Sequence, residues 1–467
     1  MTTMTVEKAP DEKAPETALV ATGEKYGIGP ALARGDGLTK TSVLVWGLGN
    51  LARGQVLKGL IFLAVEVGFL AWLVTQGWRA LAALPGLAAD QEQISRQIDG
   101  YWYYENPEPS VTVLLNGIGS LFIIALAIWY ATVSLRSAYK AQRYTEVRGS
   151  ARTLKEDLHA LTDTEAHQSM MTLPTAGLLI FTILPLIFMI SMAFTSYDSN
   201  NSQQFEWVGL KNFGTVFSGS GGAVNAGLFV QVLIWTLVWA FFATFLNFFL
   251  GTFLAIIINR KATRWKGMWR ALFSLSIAVP QFVSLLVIRT MLQPTGAVNR
   301  LLIDWGLIDS ALPFFTDAMW ARVTVIVVNL WVGIPFTIMQ VTGILQNIPG
   351  ELYEAASLDG AGVWRKFRSI TMPYMLFVLT PYLITTFTAN VNNFNVIYLL
   401  SGGDPTPVGA SAGKTDLLIT WLYKLTVDRG DYNLGAVIGI LTFIVLAAVA
   451  LVTYRSSGSY RNEEAMQ

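Results

Sequence analysis

The chain has 467 residues, of which 53% are hydrophobic and 13% charged, with a net charge of +1. Soluble domains carry about a quarter charged residues, so this composition belongs to an integral membrane protein, and the near-neutral balance excludes a nucleic-acid partner. No cysteine is present, which removes disulfides and thiolate chemistry, and two histidines, His159 and His167, are too few for a metal cluster.

Residues 1–40 are rich in Lys, Glu, Ala, Pro and Gly without an apolar core, which predicts a disordered cytoplasmic tail and not a signal peptide. The run at 42–53 is too short to span and is expected to lie at the interface. An apolar run of about 20 residues crosses a bilayer as a helix, because hydrocarbon offers no water to exposed backbone groups. Eight such runs follow, at 57–75, 113–135, 173–194, 228–258, 268–292, 321–345, 374–400 and 433–454. The predicted fold class is therefore all-α, integral to the membrane, with about eight transmembrane helices. Prolines at 174, 185, 280, 335 and 381 fall inside these runs.

Orientation follows from Lys and Arg. The segment 136–170 carries Arg136, Lys140, Arg143, Arg148, Arg152 and Lys155, and the link 260–270 carries Arg260, Lys261, Arg264, Lys266 and Arg270. The intervening segments are poorer: 76–112 holds Arg79 and Arg96 against five acids, and 195–227 holds Lys211. Both termini, including the tail 456–467, are expected on the cytoplasmic side.

Residues 349–373 are a patterned cytoplasmic segment between the sixth and seventh runs. Leu352, Ala355, Ala356 and Leu358 fit one side of a short helix. Gly360 and Gly362 allow a tight turn, a second short helix runs from about Val363 to Ile370, and Pro373 ends it. Pattern alone leaves two readings open: an amphipathic loop on the headgroups, or a knob presented to a partner.

Glu354-Ala355-Ala356, three residues, Gly360, nine residues, then Ile370-Thr371-Met372-Pro373 resembles the EAA signature of ABC importer permeases, with Met372 in place of the usual Leu. Ala278-Val279-Pro280, Asn329-x-Trp331-x-Gly333-x-Pro335, Asn392-Asn393-Phe394 and Thr415-Asp416-Leu417-Leu418 extend the likeness to the F-type subunit of maltose/maltodextrin importers. The resemblance covers about 172–455, a six-helix permease core, with 41–170 contributing the interfacial stretch, two added helices and a linker. It implies that Glu354, Ala355, Ala356, Asp359, Gly360, Ile370 and Pro373 form the coupling element that docks an ATPase. It also implies the partners: a homologous G-type permease, two ATPase subunits that bind ATP and magnesium so that this chain needs no cofactor and is not an enzyme, an extracytoplasmic sugar-binding protein, and lipid. The implied location is a bacterial inner membrane. One departure is the short 195–227 segment, where the family example has a large insert.

The seventh run holds an unusual polar set. Thr386, Phe387, Asn390, Asn393 and Phe394 are spaced i, i+1, i+4, i+7, i+8 and share a helical stripe. Amides match hydroxyls as donors and acceptors, and aromatic faces pack on sugar C–H surfaces. The bland reading is that such groups join helices by hydrogen bonds. The resemblance carries a sugar site to Thr386, Asn390 and Asn393, and on the sixth run to Val332, Gly333 and Phe336, with Gly333 leaving room beside the ring. Ala389 and Phe336 replace a family Phe and Tyr, which leaves open a glucoside related to maltose. The alternative is a proton-coupled secondary sugar transporter with Glu66 as its relay. Gly409 to Thr415 looks like a phosphate loop but has Val408 where the pattern needs glycine.

Overall fold

The computed structural model describes residues 26–88, 94–98, 101–105, 108–218, 224–260 and 262–456. It divides into two compact units, the first running through Ser191 and taking in Gln203–Trp207, the second comprising Met192–Ser202 and Val208 onward. Apart from one antiparallel hairpin, Ile94–Ile98 with Tyr101–Glu105, the described elements are helices. That hairpin lies within 76–112, between the first two apolar runs.

The first unit holds three helices long and apolar enough to cross a membrane, Val56–Gly86, Ser110–Arg148 and Ala166–Met192. Residues 26–41 depart from the expected disorder: they form two short helices, Ile28–Arg34 and Gly37–Thr41. Their anchor is chemical. The Asp36 carboxylate accepts from the Thr39 N–H at 2.8 Å and pairs with Arg53 at 2.7 Å, while Ala31 joins Leu135 and Tyr139 of the second span in a buried cluster. The expected tails over 1–25 and 457–467 lie outside the described residues. The short helix Leu48–Leu51 occupies the stretch expected at the interface. On the linker, Thr153 and Glu156 form a reciprocal cap on the helix Leu154–Thr162, and Lys58–Asp157 and Arg152–Glu165 pair at 3.0 Å each.

In the second unit, Ala226–Asn259, Ala318–Asn347, Val363–Leu400 and Tyr432–Leu451 are the long apolar helices. The expected run 268–292 is not one rod. It divides into Lys266–Ala278 and Gln281–Met291, bent by 86° at Val279-Pro280. Proline supplies no N–H, and the residue before it is pushed out of helical geometry; Val279 is extended, with ψ 126°. With this broken pair counted as one, the helices long and apolar enough to cross a membrane number eight among the described residues, as read from the sequence.

The fourth and sixth spans pack backbone to side chain. A methyl group added at Gly251 would lie 2.5 Å from Thr337 Cβ, closer than atoms allow. Two buried layers flank this contact, one containing Trp235, Trp239, Leu285, Val325 and Ile397, the other Phe248, Ala255, Ile338, Val341 and Met375. Burial of such side chains contributes about 1.5–3 kcal/mol each. Between the last two spans, residues 401–417 fold around Asp416, which is fully buried. Its carboxylate accepts from the Gly413 N–H at 2.6 Å, the Thr420 hydroxyl at 2.8 Å and Lys424 Nζ at 2.6 Å.

Candidate functional site

Within the second unit, the fourth, sixth and seventh spans and the start of Gln281–Met291 enclose a cleft of about 170 Å³. Five carboxamides line it, Asn247, Gln281, Asn329, Asn390 and Asn393, together with the hydroxyls of Thr244, Thr337, Tyr382 and Thr386. Among the described residues, no aspartate, glutamate, histidine, lysine or arginine lines it. Such a surface offers both donors and acceptors to a neutral polyhydroxyl ligand and no compensation to an ion.

Six of the eight residues expected to meet a sugar are brought together here: Val332, Gly333, Phe336, Thr386, Asn390 and Asn393. Phe387 and Phe394 are not. The seventh span is interrupted at Asn392–Asn393, where Asn393 Oδ1 accepts from the Val396 N–H at 3.2 Å and starts a fresh turn. An asparagine side chain that bonds locally competes with the helical ladder, so the assumed unbroken stripe ends there. Phe394 instead stacks on Tyr398 at 4.7 Å and meets Tyr423 at 5.0 Å.

Gly333 also has a different neighbour from the one expected. An added Cβ would lie 2.3 Å from Asn247 Nδ2, so the glycine makes room for a side chain of this chain. Asn390 has a joining bond of the bland kind, Nδ2 donating to Thr244 Oγ1 at 3.0 Å, and its side-chain Oδ1 accepts from Asn393 Nδ2 at 3.3 Å. Sequence reasoning overlooked Asn247, Gln281 and Asn329 as cleft residues. The signal was there for Asn247, an amide in the otherwise apolar stretch Phe245–Leu250.

The patterned segment 349–373 is a knob of two helices. Gly350–Leu358 ends in a left-handed Gly360, φ +73°, with the Gly360 N–H bonding Ser357 O at 3.1 Å and the Ala361 N–H bonding Ala356 O at 2.8 Å. This pair of bonds is a Schellman stop, which favours glycine at the left-handed position. Glu354, Ala355 and Asp359 are exposed, Ala356 is half-buried, and Leu358 is 91% exposed beside exposed Val363 and Trp364. Pro373 does not end the second helix. A π turn over Phe367–Thr371, which contains Ile370, lets Val363–Leu400 continue through it, because the wider turn absorbs the missing N–H. Tyr353 Oη and Thr371 Oγ1 bond at 2.8 Å, tying the knob to the base of the seventh span.

Glu66, the residue on which a proton relay depends, accepts from the Trp46 N–H at 2.7 Å. Its contact has a structural use. The residues that resembled a phosphate loop, 409–415, are part of the fold around Asp416, with the Lys414 N–H bonded to Pro405 O at 2.9 Å.

Residues 247–457 match the family described as binding-protein-dependent transport system inner membrane component. The galactooligosaccharides transport system permease protein GanP of Bacillus subtilis (strain 168) is 34% identical over 430 residues, covering 90% of this chain and 97% of that one. The maltodextrin transport system permease protein MdxF of the same organism is 32% identical over 438 residues, covering 91% and 96%. Among solved structures, a bacterial ABC transporter involved in import of the acidic polysaccharide alginate has a chain of the same fold, with a TM-score of 0.53 and 24% identity over 64% of this chain and 96% of that chain.

Proposed function

This chain belongs to the family of binding-protein-dependent transport inner membrane components, and from that premise we propose that it forms half of the path of an ATP-driven importer for a neutral oligosaccharide. The observation that carries the substrate class is the amide-lined cleft, which has no carboxylate, imidazole, ammonium or guanidinium among its described lining residues. A gluco- or galacto-oligosaccharide fits it, in keeping with the names of the two Bacillus relatives. An acidic polymer such as alginate would leave its carboxylates without cations there.

The other half of the path is a homologous G-type permease in the inner membrane. Two copies of a cytoplasmic ATPase hold the nucleotide and its magnesium, and an extracytoplasmic binding protein delivers the sugar. The exposed face of the knob, with Glu354, Ala355 and Leu358, seats in the ATPase. Closure of the ATPase dimer is then carried through the Tyr353–Thr371 tie into the seventh span, which bears Thr386, Asn390 and Asn393. Proton coupling through Glu66 has no specific support, since its carboxylate already serves the Trp46 amide.

The test is sugar-stimulated ATP hydrolysis by the assembled complex across disaccharides and longer gluco- and galacto-oligosaccharides, with Asn390→Ala and Asn393→Ala beside the parent. Stimulation by at least one neutral sugar, lost in both variants, is expected. Stimulation by none would sink the assignment.

A further inference from the structure

We infer that Asn247 is a hydrogen-bond acceptor for a sugar hydroxyl in the path, and that Gly333 is glycine in order to seat it. The inference rests on the oligosaccharide reading of the cleft and adds a residue from the fourth span to it.

The local chain explains how Asn247 is placed. A π turn over Phe242–Leu246 immediately precedes it. Such a turn inserts a residue into the helix, re-aims the side chains beyond it, and recurs at functional sites. Asn247 Nδ2 donates to the Ala243 carbonyl at 2.7 Å. That bond fixes the amide and hence the direction of Oδ1. The residue is 7% exposed, lines the cleft, and its Oδ1 has no hydrogen-bond partner among the described residues.

The sixth span passes over this amide at a glycine. A Cβ at position 333 would lie 2.3 Å from Nδ2 and 2.8 Å from Oδ1. Any other residue there displaces the asparagine or parts the two spans. A leucine at 247 would fill the same space with no orphaned acceptor, so the amide is a stability cost that packing does not account for. A bare carbonyl wants a donor and repels anions. In a cleft shared with Gln281, Asn329, Asn390 and Asn393 the donor of matching chemistry is a sugar hydroxyl. Movement of the sixth span that carries Gly333 away from Asn247, as the path opens, uncovers it.

Equilibrium binding of radiolabelled maltotriose and galactotriose to the purified complex tests this, read beside thermal stability. Asn247→Leu is expected to raise the dissociation constant about tenfold for the sugar that binds, the loss of one useful hydrogen bond, while the complex melts no lower than the parent. A purely structural amide would show the reverse, a lower melting temperature with unchanged binding. A second pair guards against failure of the leucine variant to assemble. Gly333→Ala should weaken binding alone, yet add nothing in an Asn247→Ala background, because the side chain it displaces is already gone. Unchanged binding in Asn247→Leu, or a full additional loss from Gly333→Ala in the Asn247→Ala background, overturns the inference while the parent's binding keeps the oligosaccharide reading intact. Binding of neither sugar by the parent overturns both.

Discussion

The buried pair of Asp416 and Lys424 makes a prediction whose two halves differ in pH dependence. Burial pushes the Asp416 carboxyl above its usual range, against the opposing pull of Lys424, the Gly413 N–H and the Thr420 hydroxyl. Lys424→Met strips the ammonium at 2.6 Å and leaves the other two donors in place. Removing one partner of a buried pair costs about 3–5 kcal/mol, and the two remaining bonds put this case at the low end, near 3 kcal/mol. Without the lysine the folded-state pKa rises further above the unfolded value of about 3.9. The folded loop then binds a proton more tightly than the unfolded one, so its stability is greatest below the unfolded pKa and falls as pH climbs through the folded pKa. Asp416→Asn has no proton to exchange at this position and should be equally damaged throughout.

The assay is protease nicking of residues 401–417 in reconstituted complexes between about pH 5 and pH 8, a window above the unfolded pKa. At the alkaline end, Lys424→Met should nick about a hundredfold faster than the parent, the population change that about 3 kcal/mol implies, and that ratio should shrink toward the acidic end. The same pH slope in Lys424→Met and Asp416→Asn would refute the argument.

Gly360→Val forces a β-branched residue into φ +73° at a cost of about 1–2 kcal/mol or more, and should reduce co-purification of the ATPase while the chain still reaches the membrane. Glu66→Gln keeps an acceptor for the Trp46 amide and should transport normally, whereas Glu66→Leu orphans that N–H and should lower the melting temperature by an amount matching about 1–3 kcal/mol; loss of uptake in the glutamine variant would revive the relay. Tyr353→Phe removes one bond worth about 1 kcal/mol and should raise the ATP hydrolysed per sugar imported, measured in proteoliposomes, with docking unchanged.

The spans were legible because hydrocarbon imposes a length that a run of apolar residues must meet, and Pro280 within 268–292 was visible even though its 86° consequence was not. The knob was legible in outline, since Gly360 at a helix end has one favoured conformation. Pro373 misled because its effect depends on the π turn before it, which no local propensity announces. In the cleft, helical spacing correctly joined Thr386 to Asn390, and failed at Phe394 because Asn393 spends its side chain on its own backbone. Asn247, Gln281 and Asn329 stand on three other helices, and only packing reveals that they share a surface with the seventh span. Gly333 shows the same limit: its absent side chain was visible, but the side chain occupying the space was 86 positions away.

The sharp turn at Val279-Pro280 has a consequence for the solvent inside the membrane. The last carbonyls of Lys266–Ala278 have no helical N–H ahead of them, and hydrocarbon cannot hold bare carbonyls. Gln281, the first residue beyond the turn, lines the cleft. Water is one donor that can satisfy such groups, and a seam wetted in this way is hydrated before cargo arrives. An arriving sugar exchanges water for amides instead of entering oil, which flattens the barrier to its passage. The same hydration offers small ions and protons a foothold, and a tight seal on either side of the cleft is therefore as much a requirement of this chain as the path itself.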